Sequence, residues 1–233
     1  SPGPLRRVPR AALPNGSNVN EAESINDVPR YRGFALPTPA ASLARSGAIA
    51  GVIKLTSAGL AFFMFIAVAL VTDERQFGLF GATYAGASLV SFFSTVGQQA
   101  VVLRFWPQYA STRMPVAQAY MARSLRLTLL GLVVASIGLV LLGFIPGVSR
   151  DTPEWLPLCL SASLLAFGLG WSEVASGAMR AKTVLIAGLL PRDVIWRALI
   201  ILVMLALYFG GVTLSAADAT WICGGLLVIA VAP

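Results

Sequence analysis

The sequence predicts an all-α integral membrane protein of about six transmembrane helices preceded by a disordered tail, and three observations carry that prediction. The 233 residues are 57% hydrophobic and only 12% charged, with a mean hydropathy of +0.78. A soluble domain of that size has too little interior to hide so much apolar surface. The apolar residues also come in runs longer than a bilayer is thick, and the cations collect on alternate turns between those runs.

The first two runs, Ser46–Val71 and Phe77–Leu103, flank the polar turn Asp73-Glu74-Arg75-Gln76. Lys54 is the one charge inside the first run, and the second has none. At about 1.5 Å rise per residue each run outreaches the roughly 30 Å of bilayer hydrocarbon, so the pair reads as a transmembrane hairpin.

Residues 1–45 are rich in Pro, Arg, Ser and Asn and have little periodicity, so they cannot build a core and read as a disordered, basic cytoplasmic tail. They lack the short apolar core and cleavage pattern of a secretory signal. The first run is therefore expected to be the uncleaved start of a membrane domain over residues 46–233. Because the chain lacks an initial Met and stops at Pro233 inside an apolar run, a fragment with a truncated sixth span is expected.

After the hairpin a basic connector is expected from Arg104 to Arg126, carrying Arg104, Arg113, Arg123 and Arg126. A third span, Leu127–Ser149, ends in the turn Arg150-Asp151-Thr152-Pro153-Glu154. The fourth runs from Trp155 to Met179 and is interrupted by Glu173. A second basic connector, Arg180–Arg197, contains Arg180, Lys182, Arg192 and Arg197. Pro191 and Asp193 there resemble a helix start, and Asp193 and Arg197 have the i, i+4 spacing of an ion pair. Span five follows from Ala198 to about Thr213, and span six opens near Trp221.

The tail and the two basic connectors hold fourteen Lys and Arg, whereas the opposite turns hold only Arg75 and Arg150. That asymmetry predicts a multi-pass inner (plasma) membrane protein with a cytoplasmic N-terminus. Trp106, Trp155, Trp196 and Trp221 fall at the expected span ends, where aromatic belts form. The charge of +7 sits in loops rather than on a soluble basic face, so nucleic acid is not an expected partner.

Cys159 and Cys223 lie inside apolar runs without metal-ligand spacing, and there is no His, so neither a disulfide framework nor a metal site is expected. No catalytic set, glycine-rich phosphate loop or nucleophile elbow is visible, so neither enzymatic activity nor a cofactor is expected. The candidate site residues are polar groups within or beside spans. Lys54 and Glu173 lie at similar depth, on the order of 10 to 14 Å from the cytoplasmic boundary. A charge facing lipid there costs several kcal/mol, so each is expected to face the bundle interior or a wet cavity; the alternative for Lys54 is to snorkel to the interface. Gln98 and Gln99 add amides that serve either a cavity or interhelical hydrogen bonds. Arg104, Arg192 and Arg197 either attract an anionic headgroup or act as topology signals. Gly78, Ala82 and Gly86 form a small-residue stripe expected to let a neighbouring helix approach closely.

The ordered features are Lys54, the turn Glu74-Arg75-Gln76-Phe77-Gly78, Gly97-Gln98-Gln99-Ala100, Leu103-Arg104-Phe105-Trp106-Pro107-Gln108-Tyr109, Gly177-Ala178-Met179-Arg180-Ala181, and Leu189 through Arg197. Over residues 45–233 this order resembles the N-terminal half of Wzx-like polysaccharide flippases, in the superfamily that also holds lipid II flippases and MATE antiporters. The resemblance implies the N-terminal lobe of a two-lobe transporter. Such a transporter turns a polyprenyl-pyrophosphate-linked oligosaccharide from the cytoplasmic to the outer leaflet, for O-antigen or other surface polysaccharide, by alternating access. It also implies a lipid bilayer, a C-terminal lobe and a polysaccharide polymerase as partners, with Lys54 as the cavity cation that meets the pyrophosphate. A MATE-like small-molecule exporter and a non-transporting assembly partner of a polysaccharide synthase remain as alternatives. The long tail and missing second lobe depart from the family pattern.

Overall fold

The computed structural model describes residues 40–111, 113–145, 153–182 and 185–231. The chain divides between Ala44 and Arg45, and the fold below is that of the second unit. The described residues form helices and turns without a strand. In order these are α1 (Ala40–Val71), α2 (Glu74–Ser94), α3 (Gln98–Ala110), α4 (Met114–Gly143) and α5 (Trp155–Ala181). Then come α6 (Leu185–Leu190), a π-helical turn (Pro191–Ile195), α7 (Trp196–Phe209) and α8 (Ala216–Val231). Among the described residues four stretches are long and apolar enough to cross a membrane: Gly47–Val71, Glu74–Ala110, Met114–Gly143 and Trp155–Ala181.

Helix α5 is the hub, packing against α2, α3, α4 and α8. Of its most apolar window 61% is buried, against 11–22% in the other three. Its small residues explain this, because helices approach closely where side chains are short. A Cβ added at Gly170 would lie 2.3 Å from Leu132 of α4, and one at Gly177 would lie 2.6 Å from Gln99 of α3. The main core joins Met64 and Val68 of α1, Phe80 of α2, Leu165 of α5, Ile200 and Met204 of α7 and Leu227 of α8. Val102, Trp106, Ala117, Met121 and Ala181 form a second, smaller core under α3 and the start of α4.

Several boundaries depart from the sequence reading. The expected second span is broken at Thr95-Val96-Gly97, where Val96 (φ 47°) and Gly97 (φ 65°) are left-handed. Glycine tolerates that conformation, but a β-branched residue adopts it only when its surroundings impose it. The expected connector Arg104–Arg126 is instead mostly helical, because Val102 and Trp106 on α3 find apolar partners on α4. The connector Arg180–Arg197 likewise contains α6, the π turn and the start of α7. Pro191 therefore does not start a helix. It opens a wide turn within one, where its missing amide is tolerated.

Helix α4 ends at Gly143 rather than Ser149, and α8 begins at Ala216, before Trp221. The turn around Arg150, and the expected tail before Ala40, lie outside the described residues. Trp106 and Trp196 are buried rather than part of an interfacial belt. Trp196 is 1% exposed and donates to the Cys223 carbonyl at 2.9 Å. On the Gly78, Ala82, Gly86 stripe a Cβ on either glycine would meet nothing within 4 Å, and Ala82 and Gly86 instead line an apolar groove with Leu139 and Leu142 of α4 and Leu158 of α5.

Candidate functional site

Helix α2 carries Tyr84, Ser88, Ser91 and Thr95 at i, i+4, i+7 and i+11, which puts all four on one face. Ser88 and Thr95 donate back to the carbonyls of Tyr84 and Phe92, so their hydroxyls are satisfied within their own helix. Opposite this polar stripe, the break at residues 95–97 turns the start of α3 inward. A cavity of about 490 Å³ results. It is lined by the stripe, by Gln99 and Ala100 of α3, by Leu169 and Glu173 of α5, and by Arg192, Trp196 and Arg197.

Three side chains within one helical stretch reach outward from the π turn and the start of α7. Arg192 pairs with Glu173 of α5. Asp193, buried to 6%, accepts from Lys54 Nζ of α1 at 2.7 Å. Arg197 donates to both the carbonyl and the hydroxyl oxygen of Ser57, also on α1. Asp193 and Arg197 thus share a face as their spacing predicts, but each bonds to α1 rather than to the other. Lys54 and Ser57, one turn apart on α1, supply the complementary pair.

Arg197 Nε is buried without a hydrogen-bond partner. A buried donor left unpaired costs free energy, which the two bonds of the same guanidinium to Ser57 offset. Glu173, Arg192 and Arg197 give the lining two cations and one anion. Arginine's planar fork suits carboxylate or phosphate oxygens, and in an apolar bundle such a contact is stronger than in water. Among the described residues no group of three or more His, Cys, Asp or Glu could hold a metal ion. Cys159 and Cys223 are free and buried.

Of the residues singled out from sequence, Gln99, Glu173, Arg192 and Arg197 line the cavity together. Lys54 is not among the lining residues; its side chain is 60% exposed and reaches the site through Asp193. Gln98 turns away to accept from Ser124 of α4 at 2.7 Å. Arg104 is exposed on α3, with its guanidinium 5.6 Å above the Phe105 ring. Sequence reasoning missed the Tyr84 to Thr95 stripe, although its helical period was there to be read. It also missed Ser57, for which only the i, i+3 relation to Lys54 gave a signal.

No protein-family model, curated protein or solved structure matches this chain.

Proposed function

We propose that this chain is the N-terminal lobe of a transporter that turns a polyprenyl-pyrophosphate-linked oligosaccharide from the cytoplasmic to the outer leaflet of the plasma membrane. The observation that carries the reading is the cavity of about 490 Å³ among apolar helices, whose lining includes Arg192 and Arg197. A charge is retained at such a place at a cost of several kcal/mol, which makes it a functional group by default. Arg197, which lines the cavity, is the group that meets a pyrophosphate oxygen, and Arg192 reaches the same ligand by leaving Glu173. Lys54 acts indirectly, by holding Asp193 and so orienting the π turn. The sugars extend past the cavity mouth toward a second lobe. The order of motifs from Lys54 to Arg197 supports the same assignment by resemblance.

The test is thiol accessibility at Ser88 in a Ser88→Cys variant with Cys159 and Cys223 replaced by Ala. In membranes, a membrane-impermeant reagent should label Cys at this position, and lipid-linked oligosaccharide should protect it. Absence of labelling from both sides would favour a dry bundle and an assembly-partner role.

A further inference from the structure

Helices α2 and α3 together are longer than a bilayer requires. Glu74–Ala110 is 37 residues and Met114–Gly143 is 30. At about 1.5 Å per residue α4 alone reaches roughly 45 Å, against roughly 30 Å of hydrocarbon, and α3 continues past α2 beyond the break at residues 95–97. The excess lies where they meet. Leu127–Gly143 is uncharged, whereas α3 and the first turns of α4 carry Arg104, Arg123 and Arg126. The α3–α4 hairpin therefore stands at and beyond the headgroup level, held down by the second core around Trp106 and Met121.

One side of that hairpin is a ladder of cations and rings. Arg104 lies over Phe105 at 5.6 Å, Phe105 meets the Tyr120 ring edge-on at 6.3 Å, and Tyr109 meets Tyr120 at 5.6 Å. Arg123 follows Tyr120 by one turn on the same side of α4. The Phe105–Tyr120 contact and the Gln98–Ser124 hydrogen bond set the antiparallel register of α3 and α4, with Arg104 beside the first contact and Arg123 beside the second, both outside the uncharged run that begins at Leu127. No Asp or Glu occurs between Glu74 and Asp151, so the hairpin has no carboxylate of its own to neutralise its arginines. Both ion pairs among the described residues are formed elsewhere.

We infer that this ladder is a binding surface for the phosphodiester headgroup of an anionic phospholipid. Arg104 and Arg123 take the phosphate oxygens, and Phe105, Tyr109 and Tyr120, which lie toward the hairpin tip, flank the polar, water-facing end of the headgroup. The chemistry follows from arginine's fit to phosphate, from aromatic rings favouring the interface, and from basic clusters beside a span attracting anionic lipid. The inference does not rest on the transport reading, since the hairpin's ladder is separate from the cavity lining.

Native mass spectrometry of the detergent-purified full chain tests it, with phosphatidylglycerol and phosphatidylcholine offered in equal amounts. The wild type should retain phosphatidylglycerol with a preference of roughly tenfold, within the range set by two arginines near an anionic surface. R104Q/R123Q should lose most of that preference, and R104K/R123K should keep most of it. Equal retention of the two lipids by the wild type would overturn the proposal without recourse to any variant. So would an undiminished preference in R104Q/R123Q. Displacement of the lipid by millimolar inorganic phosphate would overturn it too, by assigning the surface to free phosphate.

Discussion

At one end of the bundle Gln76 donates to both carboxylate oxygens of Glu154, at 3.1 and 3.2 Å, and accepts from the Ala216 amide at 2.7 Å. Beside it the Val71 carbonyl accepts from the Leu214 amide at 2.7 Å. At the other end Lys54, Glu173 and Ser57 meet Asp193, Arg192 and Arg197 around a cavity. The first end is tied by the neutral side chain of Gln76, which reaches the Glu154 carboxylate and the Ala216 amide, and by one backbone–backbone bond. The second is tied through the side chains of Lys54, Arg192, Asp193 and Arg197, and a diffusing anion competes for those cations directly. The contrast is thus between an end held by a neutral amide and an end held by ion-paired side chains.

The comparison breaks most visibly at Trp196, which braces the cavity end by filling the core and bonding to Cys223. Trp196→Ala should destabilise the chain by about 3 to 5 kcal/mol, as large-to-small changes in a packed core do. Reversible unfolding in mixed detergent micelles measures this. A loss under about 1 kcal/mol would show that the π turn needs no support from α8.

Gln76→Ala removes three hydrogen bonds at the opposite end and should cost about 1 to 3 kcal/mol. Thiol labelling at Ser88→Cys should be unchanged in that background. If accessibility rises as stability falls, the two ends are coupled and the contrast between them fails.

The smallest effect separates the two partners of one ion pair. Asp193 is 6% exposed and Lys54 60%, so Lys54→Ala strands a buried carboxylate while Asp193→Ala frees an exposed ammonium. Lys54→Ala should therefore be the more damaging of the two, by a margin on the order of 1 kcal/mol. Equal losses, or the reverse order in paired melting curves, would mean that burial of Asp193 is not what makes the pair matter.

The long uncharged runs made the membrane class and the α5 span legible, because runs of that length have few other uses. The α3–α4 hairpin was not legible. Charges at Arg104, Arg113, Arg123 and Arg126 suggested a loop, while the helical continuity depends on Val102 and Trp106 meeting Ala117 and Met121 across the turn. Only tertiary contact reveals that second core. At the site, Glu173, Gln99 and Arg197 were picked out for being polar in apolar surroundings. Lys54 was picked out on the same ground, yet its partner Asp193 lies 139 positions away, a distance at which spacing carries no information.

Arg197 closes the basic connector in the sequence, which is why the fifth span read as starting at Ala198, whereas the helix continues upstream through the π turn at Pro191–Ile195. Such a turn holds one residue more than α-helical phasing allows, so the apolar rhythm before it and after it is out of step. In effect it is a one-residue insertion within a helix. Removing a residue there would rotate everything upstream by about 100° relative to α7. Gly188 and Leu189 would leave their buried positions, and Arg192 and Asp193 could no longer face α5 and α1 while Arg197 kept its hold on Ser57. Seen as phase rather than as chemistry, the whole cavity end hangs on a single extra position in the chain.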